Sequence, residues 1–313
     1  MNRSNWVNKL GENPYFIVIT GICSIIGLLI SFLNDNLYLK ALVVIIFAVI
    51  VLVSIFRGTS YLKLKSKVNK LNEILDLIER QNNEYKKCID SIQGGLLFEY
   101  SHLDVALKPY IDCIAKLTEI ILGKKGCICI KMIETQSLMN VNVEEWKVRT
   151  IARSQSTRPN RIRNDNKPIY VLANSDFYDI ITRGLNNEEV RLDPFIVPDL
   201  PKFIETRKAA KLGYKNSTKD YLKRYKSTMV FPIATENEKV SSVIKGRMIF
   251  DNNVYYHVIG FLCWDYKEAF DKNDEDFALV AEILASFADV LYPLLENYIV
   301  MQLHFSHSNL QFN

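Results

Sequence analysis

The stretch Gly260–Leu284 reads GFLCWDYKEAFDKNDEDFALVAEIL. An apolar run ends at Trp264, a charged turn follows, and then an amphipathic pattern begins. The run from Val254 to Trp264 is rich in β-branched and aromatic residues, which fits a strand. After Asp274, Phe277, Val280, Ala281, Leu284, Phe287, Ala288, Leu291, Leu295 and Tyr298 recur at helical spacing. That spacing predicts a long helix burying one face, bent at Pro293. A strand passing through an acidic turn into such a helix mixes the two element types, as an α+β domain does, and nothing in it has the look of catalytic machinery.

Upstream of this unit the chain alternates helix and strand. Leu103–Leu122 reads as a helix with apolar positions at Val105, Ile111, Ile114, Leu117, Ile120 and Ile121. Gly123–Gly126 is a turn, and Cys127–Ile133 and Trp146–Arg153 read as strands. The polar, proline-containing Ser154–Lys167 reads as a loop, Ile169–Leu172 as a short strand, and Ser175–Ile181 as a short helix with Ser175 as its N-cap. Gly184–Ser227 is irregular apart from a basic helical piece near Ile204–Leu212. Thr228–Ala234 is a further strand.

The N-terminal quarter has a different character. Tyr15–Leu33 carries no charge over nineteen residues. As a helix it is roughly 28 Å long, close to the ~30 Å hydrocarbon core of a bilayer. A second run, Ala41–Phe56, reaches spanning length if Leu37, Tyr38 and Leu39 extend it and Lys40 snorkels to the headgroups. Only Asn34-Asp35-Asn36 separates the runs, a turn-forming cluster. The pattern predicts a transmembrane hairpin, and its two adjacent runs do not fit a cleaved signal peptide. Arg57, Lys63, Lys65, Lys67 and Lys70 follow the second run without an acidic residue among them, and Arg3 and Lys9 precede the first. The positive-inside rule then places both ends in the cytoplasm, with a bacterial inner membrane as the expected site. The formal charge is +4, but eight of the 39 basic and two of the 35 acidic residues precede Leu71. The remainder is slightly acidic, so the basic excess suits anionic lipid and gives no support to nucleic-acid binding.

A 3,4 apolar spacing continues beyond the second run. Tyr61, Val68, Leu75, Asn82 and Ile89 take one seam position, and Leu64, Leu71, Ile78, Tyr85 and Ile92 the other. Asn82 is the one polar member, and a single such Asn fixes register in a parallel dimer. Gly94-Gly95 ends the pattern. The expectation is a coiled-coil stalk joining two or more copies of the chain, weighed against an amphipathic helix packed on its own domain.

Catalytic signals are lacking. There is no phosphate-binding glycine loop, no dinucleotide fingerprint and no nucleophile elbow. His304-Phe-Ser-His307 has metal-like spacing but no further ligands nearby, and Cys127 and Cys129 read as small hydrophobes on one strand face. The six scattered cysteines fit a reducing compartment. The expectation is a protein that is not an enzyme and holds no cofactor or metal.

Several residues together resemble the GAF-domain family. Tyr225–Ile233 (YKSTMVFPI) is similar to that family's serine-bearing strand ending in an apolar-Pro-apolar triplet. Val258–Trp264 resembles the strand that follows, Phe270 and Asp274–Phe277 the aromatic and acidic helix start, and Ala281, Ala285 and Ala288 the alanines of the closing helix. Asp199 resembles the acidic residue before the family's variable segment. The resemblance spans roughly Leu96–Tyr298. It lacks the Asn-Lys-Phe-Asp-Glu motif of cyclic-nucleotide-binding members and the chromophore-cysteine context. It implies an antiparallel sheet flanked by helices, with a ligand pocket between the sheet and the variable loops. Arg149, Arg153, Tyr170, Asn174, Phe177, Tyr178, Thr228, Phe231 and Trp264 are the candidate pocket residues. An arginine there would suit a small anionic ligand, a nucleotide among them. Arg158, Arg161, Arg163 and Lys167 form a basic loop that either covers such a ligand or is simply solvated, and Lys202, Arg207, Lys208 and Lys211 are a similar group.

The expected organisation is a cytoplasmic N-terminus (1–14), a transmembrane hairpin (15–56), a coiled-coil stalk (57–93), a GAF-like sensory domain (94–300) and a flexible tail (301–313). The expected function is that of a membrane-anchored sensor that binds a small ligand, signals through its dimeric stalk and passes its output to a partner protein. The alternative makes the hairpin the output, in a membrane-perturbing effector of a bacterial defence system. The hairpin has no polar stripe to line a wet pore, which counts against that alternative.

Overall fold

The computed structural model describes residues 37–95, 100–134, 143–154, 167–186, 192–217, 220–236, 247–249, 255–271 and 273–310. The first apolar run and the arginines of the 155–166 loop lie outside the described residues. Contacts divide the chain into two units, Met1–Leu75 and Asp76–Asn313.

In the first unit the described part is helical. Helix α1 (Leu37–Gln93) takes in the second apolar run and continues through the unit boundary without a break. Tyr61, Leu64, Val68, Leu71 and Leu75 are all exposed along it.

The second unit is built on one antiparallel sheet. Its strands are β1 (Cys127–Ile133), β2 (Lys147–Arg153), β3 (Ile169–Tyr170), β4 (Phe195–Val197), β5 (Ser227–Glu236), β6 (Arg247–Ile249) and β7 (Tyr255–Tyr266). They run in the order β3-β2-β1-β7-β5-β4, with β6 also paired to β7. The long central β7 is apolar at nearly every position, as expected of a strand covered on both faces. Gly260 permits its close approach to β1, because a Cβ there would collide with the Lys131 carbonyl.

One sheet face carries α2 (Tyr100–Leu122) and α5 (Glu275–Leu310). Eight of the nine apolar positions read in the α5 sequence are buried, and Phe287 is half-buried. Asp274 caps this helix, its Oδ1 accepting from the Phe277 amide at 2.9 Å. Behind the cap, Trp264, Tyr266, Phe270 and Phe277 form an aromatic cluster with centroids 4.9–6.4 Å apart. The charged turn of Gly260–Leu284 thus folds the helix start back over the strand end. The stretch Glu275–Leu303 is long and apolar enough to cross a membrane, but its apolar side packs on the sheet. Pro293 sits within α5 on its exposed side. The helix continues to Leu310, so most of the expected tail is helical.

The end of α1 belongs to this unit. Gln81, Cys88 and Ile92 are buried, and Tyr85 donates from its hydroxyl to the Val290 carbonyl at 3.1 Å. Its ring meets Tyr110 of α2 at 5.9 Å. Asn82 is exposed and Ile89 half-buried, whereas Ile78 is exposed like the residues before it. The 3,4 pattern is therefore divided between an open stripe ending at Ile78 and a packed end beginning at Gln81. Val105, on the first turns of α2, is 71% exposed.

The opposite sheet face carries α3 (Ser175–Asn186) and α4 (Leu200–Ala209). Asp199 caps α4, its Oδ1 accepting from the Lys202 amide at 3.1 Å. The helix begins four residues before the basic piece anticipated from sequence and ends at a turn where Lys211 takes φ 58°.

Candidate functional site

On the α3 side of the sheet lies a cavity of about 460 Å³, within the usual range for small-molecule sites. Its floor follows from strand alternation. Arg153, Cys129, Cys263 and Val230 form one cross-strand row over β2, β1, β7 and β5. Lys131 and Asp265 lie on the same face, one step to either side of that row. Val148 and Thr150 extend the floor.

The roof is made by the start of α3 and the segment around residues 215–225. Phe177 stacks on Phe261 of β7 with centroids 4.5 Å apart, which seats α3 on the sheet. The Ser217 amide donates to Asn174 Oδ1 at 2.6 Å, and the Lys215 amide to Ser175 Oγ at 2.7 Å. These bonds zip the segment to the helix start. Asn216 Nδ2 donates to the Tyr225 hydroxyl at 2.7 Å. Arg207 of α4 pairs with the buried Asp179 of α3 and also donates to the Gly213 carbonyl at 3.0 Å, fixing the outer end of the roof.

The lining is mixed in charge. Lys131, Arg153, Lys167 and Arg224 contribute cations, and Asp176 and Asp265 carboxylates. Burial pushes the Asp176 carboxyl up to about 7, with Lys131 opposing and Asp265 reinforcing. A hydrogen bond from Cys263 pulls the Cys129 thiol below its ordinary value, against burial and with help from Arg153 and Lys131. Burial and the neighbouring Cys129 push Cys263 up. Thr228 donates to Asp265 Oδ1 at 3.1 Å from just behind the lining.

Three of the candidates read from sequence line the cavity: Arg153, Asn174 and Phe177. Arg149 does not. An irregularity in the β1–β2 register between Ile130 and Lys131 turns it to the other face, and there it pairs with Glu134 at 2.8 Å. Phe231 and Trp264 alternate with the cavity-facing Val230, Cys263 and Asp265, so they enter the core beneath α2 and α5. Tyr170 and Tyr178 are exposed outside the lining, Tyr170 under the Lys147 ammonium at 5.1 Å. Lys131, Asp176, Arg224, Cys129, Cys263 and Asp265 complete the lining, and no motif in the sequence marks them as pocket residues.

Solved structures to which the chain is similar include the GAF domain from Acinetobacter phosphoenolpyruvate-protein phosphotransferase, at 10% identity and a TM-score of 0.33, covering 67% of this chain and 92% of that one. A far-red cyanobacteriochrome photoreceptor matches at 16% identity and a TM-score of 0.37, covering 68% of this chain and 96% of the other. No protein-family model matches the chain, and no curated protein matches it. Among the described residues no group of three or more His, Cys, Asp or Glu side chains could hold a metal ion.

Proposed function

We propose that the chain is a membrane-anchored sensor whose GAF-like domain binds a small anionic molecule and acts by binding, without catalysing a reaction. The observation that carries this reading is the cavity, where four cationic side chains face two carboxylates. One carboxylate, Asp176, holds its proton to about pH 7. Such a site favours a compact ligand with a phosphate or carboxylate group, which Arg153 can engage with paired N–H donors. A nucleotide is one such ligand.

Anchoring rests on the two apolar runs of the N-terminal quarter and the basic residues around them. Signalling in this reading passes through α1, with the stripe Tyr61–Ile78 pairing against the same stripe of a second copy. The roof over the cavity is the ligand-sensitive element, since hydrogen bonds and one buried ion pair hold it. The output partner is a protein.

The test is a thermal-shift screen of the full chain in detergent against nucleoside mono- and diphosphates, cyclic nucleotides and small carboxylic acids. A member present at 100 times its Kd stabilises by ~2.7 kcal/mol, a rise of roughly 5–10 °C for a domain of this size. The same rise in an Arg153→Gln chain would place the binding elsewhere.

A further inference from the structure

The floor of the cavity holds two thiols that the ligand reading does not use. Cys129 on β1 and Cys263 on β7 are direct cross-strand partners. Both point to the cavity face, and both line it. Residues directly opposite on antiparallel strands have Cα atoms about 4.5–5.5 Å apart, inside the window of about 4.4–6.8 Å that a disulfide bridges. The pair differs from cysteines that merely fill a core. Arg153 stands opposite Cys129 on its other side, and Lys131 follows two residues along the same face. By contrast, Cys88 and Cys113 are buried in the helical layer away from the cavity, and Cys88 is pushed up to about 12 by burial.

We propose that Cys129 and Cys263 are a redox-active dithiol, which a small hydroperoxide entering the cavity converts to a disulfide. The Cys129 thiolate attacks one peroxide oxygen. An S–O bond forms, the O–O bond breaks, and the departing oxygen leaves as water or an alcohol after taking a proton. Cys129 is then a sulfenic acid. The Cys263 sulfur attacks the Cys129 sulfur, the S–S bond forms and the S–O bond breaks. The hydroxyl leaves as water with the Cys263 proton. The two thiols lose two electrons and the peroxide gains them. Arg153 and Lys131 favour the thiolate that starts the sequence, and the peroxide is small enough to reach a floor that solvent barely touches. The product staples β1 to β7 and removes the thiolate from the cavity floor.

The proposal goes beyond anion binding and does not depend on it. Its test uses the reduced full chain in detergent, treated with hydrogen peroxide, denatured, alkylated and mapped by mass spectrometry. Free thiols are expected to fall from six to four, with one link joining the Gly126–Lys131 peptide to the peptide holding Cys263. Fragment ions should assign the link to Cys129, and a Cys127→Ser chain should still form it. A Cys263→Ser chain should form no link and should carry a dimedone adduct at Cys129. Six free thiols after excess peroxide would overturn the proposal. So would a link through Cys127, or equal reactivity of the native and urea-unfolded chains.

Discussion

The Thr228 hydroxyl on β5 donates a 3.1 Å hydrogen bond to Oδ1 of Asp265, its cross-strand partner on β7. Thr228 is buried, and the bond anchors one of the two carboxylates that face the cavity. Thr228→Val keeps the shape and removes the donor. It should cost about 1–3 kcal/mol, the range for leaving a buried acceptor without its donor, read as a lower urea midpoint at unchanged slope. Thr228→Ser should recover most of that loss.

Asp176 gives the domain a pH dependence of defined sign. Its folded-state value, about 7, lies above the ordinary 3.8. Between these values the folded chain holds a proton that the unfolded chain has released, so stability falls as pH rises through that window. Lys131 of β1 opposes the upward shift of Asp176 and Asp265 of β7 reinforces it. Anion affinity should fall over the upper part of the window, because an ionised Asp176 adds a second negative charge to the lining. Asp176→Asn should flatten both dependences, measured by thermal unfolding and by ligand titration across that window.

Arg207 couples the roof to α3. It pairs with the buried Asp179, donates to the Gly213 carbonyl at 3.0 Å and lies over the Phe203 ring at 5.6 Å. Arg207→Ala removes the cation and leaves a buried carboxylate, at a cost of ~3 kcal/mol. Amide exchange should accelerate first in residues 211–217, before the sheet is affected. Equal acceleration in β7 would mean that the pair supports the whole domain instead of its roof.

The open stripe of α1 predicts self-association. Leu71 and Ile78 are exposed at 55% and 39%, so Leu71→Glu with Ile78→Glu should leave the domain's unfolding midpoint nearly unchanged. The same pair of changes should convert dimers to monomers by light scattering in detergent. A doubly substituted chain that remains dimeric would assign the contact to another surface.

How much of this the sequence revealed depended on element length and on alternation. β1, β5 and β7 are long apolar runs, and their positions were legible to within two or three residues. β4 and β6 are three residues each and carry no periodic signal. Asn174 and Phe177 were legible because the turn-to-helix switch puts them at the start of α3, where Ser175 is the first helical residue and its Oγ accepts from the Lys215 amide and is not a cap. Phe231 and Trp264 alternate with Val230 and Cys263, and period-two alternation assigns their face of the strands to the core. Arg149 and Arg153, four apart, should share a face in a regular strand. The β1–β2 irregularity separates them, and no residue type in Lys147–Arg153 announces it. The heptad spacing ran on past Ile78 because Tyr85 and Ile92 are equally suited to a partner helix and to their own domain, and here Tyr110 and Val290 receive Tyr85.

The most direct test of the sensor reading is isothermal titration of the full chain in detergent with the strongest stabilising member of the anion screen, alongside the Arg153→Gln chain. The account predicts saturable one-to-one binding to the native chain, weakened at least tenfold by the substitution, or about 1.4 kcal/mol. Absence of any stabilising anion in the screen, or equal affinity in the two chains, would contradict it.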